Sequence, residues 1–453
     1  MKFYSTSIPF IPYTHFQKPM AATNDAPDAL KKVLKPIHLW AIAVGLVISG
    51  DYFGWNYGWS TAGTIGFLIA TVIITILYVT FIFSFTELTT MIPQAGGPFS
   101  YAERALGPFW GLAAGYATLI EFLLAPPAIA FALGSYIHFL YPGIPVLSSA
   151  IASYVIFTII NFLGVKESAT FTLFITLLAV GELFLYMGIV APHFEIGNFT
   201  QDAFPLSWSG IFAAIPFAIW FYLAIEGVAM VAEEVDEPRK NIPKGYIYGI
   251  LTLVFLALGV MILTGGATDW KQLSNLDYPL PETIGQVLGK DNPLTKVFAS
   301  IGLFGLIASF HSIMFGYSRE IFAMARAGYL PKVLARLHPR FKTPHWALVA
   351  GGAIGFISLL TGTTGQVITL SAIGAVAMYI ISMVSLFVLR KKAPHADRPF
   401  TAPLYPWFPA IALVLSVFSF IAIAWFNPLE VSIFIAMLVT FLLGYKVFGR
   451  REG

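Results

Sequence analysis

The sequence predicts an all-α polytopic membrane protein with twelve transmembrane helices, and three observations predict this class. Of the 453 residues, 57% are hydrophobic and only 11% are charged, whereas soluble domains average about 25% charged residues. Apolar stretches of about 20 residues, the length that crosses a bilayer, recur twelve times. Lysine and arginine are also shared unequally between the two sides that these stretches define.

The twelve predicted spans follow one another with short connections. They cover residues 37–58, 62–87, 109–136, 145–164, 168–191, 210–232, 245–265, 294–318, 345–361, 367–389, 405–425 and 428–447. Two stretches between them are too polar to span a membrane. Residues 89–108 follow a turn rich in proline and glycine, and residues 326–342 are basic and amphipathic. Each stretch therefore predicts a short interfacial helix.

The basic residues predict that both termini face the cytoplasm. With residues 1–36 inside, only Lys271, Lys290 and Lys296 of the 26 lysines and arginines fall outside. The reverse orientation inverts this bias. Residues 1–36 lack the pattern of a signal peptide, so we interpret them as a cytoplasmic tail. The expected location is the cell membrane, inner or plasma, with multiple passes.

The first span is unusual between Val44 and Ser60, where four glycines and Asp51 lie among five aromatic residues. Glycine weakens a helix, and a carboxylate at the bilayer centre costs about 2.5–3.5 kcal/mol on insertion scales. Irregular backbone at that depth persists only where protein or a water-filled cavity satisfies its polar groups. We therefore predict a break at Ser49–Gly50–Asp51 that forms half of a binding site.

A second interruption is predicted five spans later, in residues 215–234. This stretch carries Pro216 and Glu226–Gly227, and we expect the break at Leu223–Ile225. Because five is odd, a second five-helix unit would enter the membrane from the opposite side. Interrupted spans at matching places in opposed halves indicate a transporter site at the midplane. The predicted organisation is a tail over 1–36, a first five-helix repeat over 37–191, an inverted second repeat over 210–390, and two final helices with a short tail over 391–453.

Three segments make the chain resemble the amino acid–polyamine–organocation (APC) transporter superfamily. ELTTMIPQAGGPFSYAERALGPFWG (87–111) resembles the loop after the second helix, WFYLAIEGVAMVAEEVDEPRKNIPKG (220–245) the sixth helix and its following loop, and SREIFAMARAGYLPKVLARLHPRFKTPH (318–345) the segment after the eighth. The resemblance implies a LeuT-like 5+5 inverted repeat with broken helices 1 and 6, two further helices, and substrate held between the two breaks.

The first broken helix departs from the pattern of members that carry amino acids. Those members usually read G-S-G, a small or apolar residue, an apolar residue and G, and their free N–H groups hold a carboxylate. The matching residues here are Ser49, Gly50, Asp51, Tyr52, Phe53 and Gly54. The acidic residue and the tryptophan-rich continuation resemble the ethanolamine permease branch.

Electrostatics favours a cationic substrate at this position. An ionised Asp51 would occupy the positive end of a broken helix, where a substrate carboxylate would otherwise bind. A small ammonium would instead find a counter-ion, freed carbonyl groups and aromatic faces worth about 0.5–2 kcal/mol each. The alternative is that Asp51 caps the half-helix after the break, and both roles can hold together.

The remaining substrate-site candidates lie on the two broken helices. Tyr52 and Phe53 are expected to line the cavity, whereas Trp59 is expected in an interfacial belt. Trp220 and Tyr222 either close over the substrate or pack in the core. The resemblance places Glu226 at a position that is often acidic, as a counter-charge, a proton site or a partner of freed backbone. The predicted site residues of the sixth span are Trp220, Tyr222, Ala224, Ile225 and Glu226.

Glu121, Glu182 and His311 are candidates for proton coupling or gating. Glu121 lies near a double proline, which favours a structural or gating role. Sodium-independent relatives can carry a lysine on the fifth helix, and aligning GVKESA (164–169) places that position at Ala179. Glu182 lies about one turn further on the same face. A lone histidine on an apolar helix is by default a core residue, although His311 titrates near neutrality.

The four carboxylates within the spans also favour proton coupling over sodium. No lysine or arginine lies deep in the spans, so protonation, water or a cationic substrate must offset the cost of these carboxylates. We therefore expect a secondary transporter that imports a small organic amine, with ethanolamine as the closest match, together with protons.

The sequence leaves two other functions open, and it predicts that several kinds of activity and partner are absent. One alternative is a proton-coupled amino acid symporter or exchanger in which Asp51 is turned away, and the other is a membrane substrate sensor. We expect no enzymatic activity, no cofactor, no metal and no nucleic acid partner, and the chain has no cysteine. The acidic run EEVDEPRKNIP (233–243) predicts a cytoplasmic loop with salt bridges. The oligomeric state stays open, with a monomer able to function in the lipid bilayer.

Overall fold

The structure, a computed structural model, describes residues 32–163 and 168–448. The predictions for the tail up to residue 31, for Lys166 and its surroundings, and for the last five residues lie outside this range. Within it, the chain folds into helices, and the sole β-type pairing of this part is an isolated bridge between Leu34 and Val235.

Eighteen α-helices follow one another along the described chain. They are α1 (Pro36–Val47), α2 (Ser49–Tyr52), α3 (Trp59–Met91), α4 (Gly97–Leu106), α5 (Pro108–Leu140), α6 (Val146–Leu163), α7 (Ser168–Val190), α8 (Ile196–Thr200), α9 (Ser207–Ala213), α10 (Ile215–Trp220), α11 (Pro238–Ala267), α12 (Trp270–Leu273), α13 (Pro279–Leu288), α14 (Pro293–Arg326), α15 (His345–Thr361), α16 (Thr364–Lys392), α17 (Trp407–Phe426) and α18 (Pro428–Phe448). Short 3₁₀ helices cover Trp55–Gly58, Ala191–His193, Ile225–Glu234 and Lys332–Ala335.

Helical segments occupy all twelve predicted spans. Ten helical segments in the described ranges are long and apolar enough to cross a membrane, and α1 and α15 are shorter apolar helices. The first span consists of α1, α2 and the 3₁₀ turn at Trp55–Gly58, and the sixth of α9, α10 and the 3₁₀ helix at Ile225–Glu234. The all-α polytopic fold class is confirmed.

Two helices run well beyond their predicted spans. Helix α11 begins at Pro238 rather than 245, and α14 ends at Arg326 rather than 318. The predicted spans stopped at the first polar residues, but here packing buries polar side chains such as Glu320 inside the helical bundle. The backbone therefore continues as helix where hydropathy alone predicts an end.

One of the two predicted interfacial helices is present. Helix α4 lies within 89–108 and ends at Gly107, whose φ of 102° favours glycine. The helix predicted over 326–342 is wrong, because this stretch contains only the 3₁₀ turn Lys332–Ala335. Gly328 has a φ of 84°, and prolines at 331 and 339 prevent regular helix across the segment.

Ion pairs join the sixth and eighth spans at one end of the bundle. Glu233 binds Arg326 at 3.0 Å and Glu234 binds Arg319 at 3.1 Å. The backbone N–H of Leu34 donates to the carbonyl of Glu234 at 3.0 Å. The acidic run at 233–243 thus carries salt bridges, although its second half is already the start of α11. We call this end of the bundle, where Leu34 contacts Glu234 near the start of the described chain, the amino-terminal side.

Glu87, at the end of the second predicted span, forms a buried charge cluster with two arginines. Its carboxylate is fully buried and accepts two hydrogen bonds from Arg390, at 2.7 and 2.6 Å. The Nε of Arg398 lies 3.2 Å away, and the backbone N–H of Ala402 donates at 2.8 Å. The cluster therefore ties α3 to the end of α16 and to the segment that leads into α17.

Candidate functional site

The first span is interrupted at Ile48, between α1 and α2. The Ser309 hydroxyl of α14 accepts a hydrogen bond from the Ser49 N–H and donates one to the Gly45 carbonyl, both at 2.9 Å. These two backbone groups lie four residues apart, the spacing of a helical hydrogen bond. A side-chain hydroxyl is therefore inserted into the helix ladder, which is one of the known causes of an interrupted helix.

The predicted break at Ser49–Gly50–Asp51 is wrong in position, because these residues form α2. The backbone leaves the helix at Phe53, which is extended, and at Gly54, whose φ is 90°. Gly50 is needed for close packing rather than for unwinding. A Cβ added there would lie 2.3 Å from the Trp220 carbonyl oxygen.

The sixth span unwinds between Trp220 and Ile225, where the break was predicted. Ala224 has a left-handed backbone with a φ of 76°, a conformation that costs a residue with a side chain about 1–3 kcal/mol. Its N–H donates to Glu121 Oε1 of α5 at 3.0 Å. Glu121 thus holds the strained backbone of the break.

The two breaks lie directly against each other. Gly50 packs on the Trp220 backbone, and a Cβ on Gly54 would lie 2.5 Å from the Trp220 indole nitrogen. The Phe53 and Trp220 rings meet edge to face at 5.6 Å. The structure therefore brings together candidates from both broken spans, which are far apart in sequence.

Asp51 is fully buried in α2 at this crossing. Neither of its carboxyl oxygens has a hydrogen-bond partner among the residues that the structure describes. The hydrogen bonds that a capping role requires are therefore absent from the described structure. Burial of a carboxylate without a donor or a counter-ion is costly, so this group lacks the partner that a bound cation would supply.

The Tyr52 hydroxyl bonds to neighbours other than Asp51, and its place in a substrate cavity stays a prediction. Its hydroxyl lies 2.7 Å from Glu182 Oε2 and 2.9 Å from the Ala179 carbonyl oxygen. Its ring packs against Gly305 of α14. Successive helical residues are rotated by about 100°, so Asp51 and Tyr52 face different neighbours. Tyr52 thus links the first break to Glu182.

The two aromatic candidates of the sixth span differ in their contacts. The Trp220 indole N–H is buried and makes no hydrogen bond within the described ranges. The Tyr222 hydroxyl lies 2.7 Å from the Thr75 hydroxyl, and its ring contacts Tyr78 at 5.1 Å. Trp220 therefore keeps a free donor at the crossing, whereas Tyr222 is committed to α3.

Glu121 and Glu226 form a buried pair of carboxyl groups behind the second break. Both side chains are fully buried, and their carboxyl groups are close enough to interact electrostatically. The Tyr379 hydroxyl also lies 3.2 Å from Glu226 Oε2. Two carboxyl groups buried together disfavour the state in which both are ionised. Neither Tyr379 nor this pairing was foreseen, because no spacing in the sequence relates these spans.

His311 lies on the opposite side of α14 from the inserted Ser309. Two residues correspond to a rotation of about 200° around a helix. Its Nδ1 lies 3.0 Å from Asn161 Nδ2 of α6, and its ring contacts Phe171 edge to face at 6.1 Å. These contacts agree with the default interpretation of His311 as a core residue.

Two tryptophans after the first break, Trp55 and Trp59, make contacts that were not predicted from the sequence. The Trp55 indole donates to the Asp51 carbonyl at 3.2 Å. Trp59 is fully buried and packs edge to face on Trp55 at 4.7 Å, so its predicted place in an interfacial belt is wrong. Trp270 of α12, which lies outside the first span, packs edge to face on Trp59 at 6.3 Å.

A cavity of about 600 Å³ opens at the end of the bundle opposite the amino-terminal side. At its base the Tyr57 hydroxyl donates to Asp277 at 2.7 Å, and the Thr364 hydroxyl donates to the other oxygen at 3.1 Å. Burial raises the pKa of Asp277 to about 6, although both hydrogen bonds act in the opposite direction. These bonds join the first span, the loop before α13 and the start of α16.

Gly50→Ala is expected to lower uptake of any substrate by about tenfold or more. The added Cβ meets backbone that cannot rotate away, and overpacking of this kind costs about 1–3 kcal/mol. Gly188→Ala on α7 is the matched control, because a Cβ there meets nothing within 4 Å. Transport rates of both variants in reconstituted vesicles, normalised to the inserted protein, test the contact. Equal transport rates would show that transport does not require the close packing of Gly50 on the Trp220 backbone.

Comparison with known proteins identifies the family. Residues 34–444 match the family described as "Amino acid permease". The chain belongs to the amino acid permease family. The permease is 29% identical over 411 residues to an uncharacterised transporter of Rhizobium meliloti (strain 1021), with 88% of each chain covered. It is 25% identical over 457 residues to the branched-chain amino acid permease of Bacillus subtilis (strain 168), with 96% of each covered.

A third relative differs from these in its named substrate. The permease is 27% identical over 390 residues to the methylthioribose transporter of Bacillus subtilis (strain 168), covering 80% of this chain and 82% of the relative. The family and its named relatives are permeases and transporters rather than enzymes. The chain is therefore a multi-pass membrane transporter of a small molecule.

Proposed function

We propose that this permease imports a small organic amine, with ethanolamine as the closest match, by secondary transport coupled to protons. The observation that carries the proposal is the Asp51 carboxyl, buried at the crossing of the two breaks without a partner in the described chain. Both termini face the cytoplasm in this proposal, and substrate enters from the side that carries the 600 Å³ cavity.

A primary ammonium supplies what the crossing lacks. It offers a positive charge and three N–H donors, and the carboxyl of Asp51 offers two acceptor oxygens. The hydroxyl of an amino alcohol can accept from the Trp220 indole N–H, which is the unpartnered donor at this crossing. A substrate carboxylate would instead meet Asp51 at short range in a medium of low dielectric constant.

The Glu121–Glu226 pair supports proton coupling. In this proposal the two carboxyl groups share one proton next to the strained backbone at Ala224, whose N–H donates to Glu121. Loss or gain of this proton changes the charge that holds the break and therefore biases the conformation of the sixth span. Glu182, bonded to Tyr52 from the first break, is a second titratable group at the site.

An amino acid substrate is the second candidate, and the relatives favour it. One relative is named a branched-chain amino acid permease, whereas another is named a methylthioribose transporter. The family thus includes a member named for a substrate other than an amino acid. The buried charge of Asp51 is the feature that favours the amine over the amino acid.

Competition for uptake separates the two candidates. The purified permease in vesicles takes up radiolabelled ethanolamine in the presence of unlabelled ethanolamine, L-serine or ethylene glycol. L-serine is ethanolamine with an added carboxylate, and ethylene glycol replaces the ammonium with a hydroxyl. We expect competition from ethanolamine alone. Competition by L-serine that equals or exceeds competition by ethanolamine would contradict the amine proposal in favour of the amino acid one.

An imposed pH gradient tests the coupling ion. Uptake is measured with an inside-alkaline gradient and without a gradient, each in sodium-free and sodium-containing buffer. We expect the gradient to accelerate uptake and sodium to have no effect. Uptake that depends on sodium and ignores the gradient would contradict proton coupling.

A further inference from the structure

Glu320 is a second buried carboxyl group without a hydrogen-bond partner in the described structure. It lies on α14, about three helical turns after Ser309, the residue that contacts the first break. It lies near the carboxyl end of the helix, and its side chain is fully buried. Neither of its oxygens makes a hydrogen bond within the part of the chain that the structure describes. The Tyr101 hydroxyl of α4 is close enough to Glu320 to interact with it electrostatically, and it is likewise buried without a hydrogen-bond partner in the described ranges.

The two arginines on either side of Glu320 along α14 already have other partners. Arg319 contacts Glu234 at 3.1 Å and lies over the Phe315 ring, and Arg326 contacts Glu233 at 3.0 Å. Tyr101 from α4 interacts electrostatically with Glu320, and Tyr246 from α11 interacts with Tyr101. No contact with a charged group therefore offsets the burial of Glu320 in the described structure.

Hydroxyl groups lie between Glu320 and the Glu121–Glu226 pair. The Tyr246 hydroxyl donates to the Glu226 carbonyl at 3.0 Å. The Thr89 hydroxyl lies near both Tyr246 and Tyr101, and the Phe85 ring packs between these two tyrosines. Hydroxyl groups both donate and accept hydrogen bonds, and orphaned buried polar atoms are the usual sites of buried water.

We propose that Glu320 is the group that releases the coupling proton to the cytoplasm. The shared proton leaves the Glu121–Glu226 pair, passes along Tyr246, Thr89, Tyr101 and intervening water, and binds the Glu320 carboxylate. In each cycle one O–H bond at the pair breaks and one forms at Glu320, which later gives its proton to water. This role rests on the proton-coupled transport proposed above.

The ion pairs of the amino-terminal side determine when release occurs. Arg319–Glu234 and Arg326–Glu233 join the sixth and eighth spans around Glu320 and keep its compartment closed. When these spans separate to open the cytoplasmic side, Glu320 gains access to water. Proton release is thereby tied to the conformation that releases substrate.

Glu320→Gln tests the role through two assays on the same vesicles. One measures net uptake driven by an inside-alkaline gradient, and the other measures exchange of labelled for unlabelled substrate at equal pH. Glutamine resembles a glutamate that never loses its proton. We expect net uptake to fall by about tenfold or more, with exchange within about twofold of the native rate because exchange needs no proton release.

Control variants distinguish a role of Glu320 in proton release from a purely structural role. Glu195→Gln changes an exposed carboxyl and should leave both assays unchanged. Glu320→Asp should retain net uptake with an altered pH profile, and Tyr101→Phe should slow net uptake more than exchange. Native net uptake by Glu320→Gln, or equal loss of exchange and net uptake in Glu320→Gln and Glu320→Asp, would overturn the proposal.

The native permease is measured first under the same gradient. A native protein that ignores the gradient contradicts the coupling proposed for the permease as a whole. A native protein that responds, together with a Glu320→Gln variant that responds equally, contradicts only the role of Glu320.

Discussion

Asp51→Asn is expected to raise the half-saturating concentration of ethanolamine by about 10- to 100-fold. Hydrogen bonds to a charged group contribute about 1.5–3 kcal/mol, and each 1.4 kcal/mol corresponds to a factor of ten in affinity. Asparagine retains the size of the side chain but removes the charge. Because neither oxygen of Asp51 has a partner within the described ranges, the substitution breaks no hydrogen bond of the folded chain there.

The same variant should also lose discrimination between ethanolamine and L-serine. The charge of Asp51 disfavours a substrate carboxylate, so its removal should weaken rejection of L-serine. Asp202→Asn, in an exposed ion pair with Lys271, is the control and should transport like the native protein. Equal amounts of inserted protein are verified by fluorescence-detected size exclusion. Near-native affinity for ethanolamine would exclude Asp51 as the counter-ion.

Glu87→Ala is expected to destabilise the folded permease by about 3–5 kcal/mol, as removal of one partner from a buried ion pair generally does. The carboxylate accepts two hydrogen bonds from Arg390 and one from the Ala402 N–H. Without it, two arginines and a backbone donor lose their partner inside the bundle. The midpoint of thermal unfolding in detergent should fall sharply, with transport declining in parallel at raised temperature.

Glu237→Ala is the matched control for this prediction. Glu237 also pairs with a basic residue, Lys240 at 3.1 Å, but both side chains are more than half exposed. Exposed pairs contribute about 0.2–1 kcal/mol, so this variant should unfold near the native temperature. Equal midpoints for the two variants would show that the Glu87 cluster does not stabilise the junction of α3 and α16.

Much of the fold was predictable because a membrane span satisfies its backbone hydrogen bonds within itself. Hydropathy and length therefore located twelve helical segments without knowledge of their neighbours. The same rule made Gly50, Asp51 and Glu226 conspicuous, since glycine and carboxylate weaken a helix in a bilayer. Local signals also predicted α4 and the unwound stretch around Ala224.

The failures arose where a distant residue decides the local structure. The first span is interrupted at Ile48 because the hydroxyl of Ser309, 260 residues from Ser49, replaces the helical hydrogen bond between Gly45 and Ser49. Gly50 meets the Trp220 backbone rather than unwinding. The predicted helix over 326–342 failed for a local reason, since its prolines outweigh its amphipathic pattern.

The sequence by itself determined that this chain is a polytopic helical protein with two interrupted spans and a few acidic groups inside them. Only the tertiary structure decided which acidic groups lie close to one another, which is paired with arginine and which lack a hydrogen-bond partner among the described residues. Hydropathy depends on each residue and its neighbours along the chain, whereas the charge state of a buried carboxyl depends on atoms within a few ångströms. In this fold those atoms come from helices that are far apart in sequence.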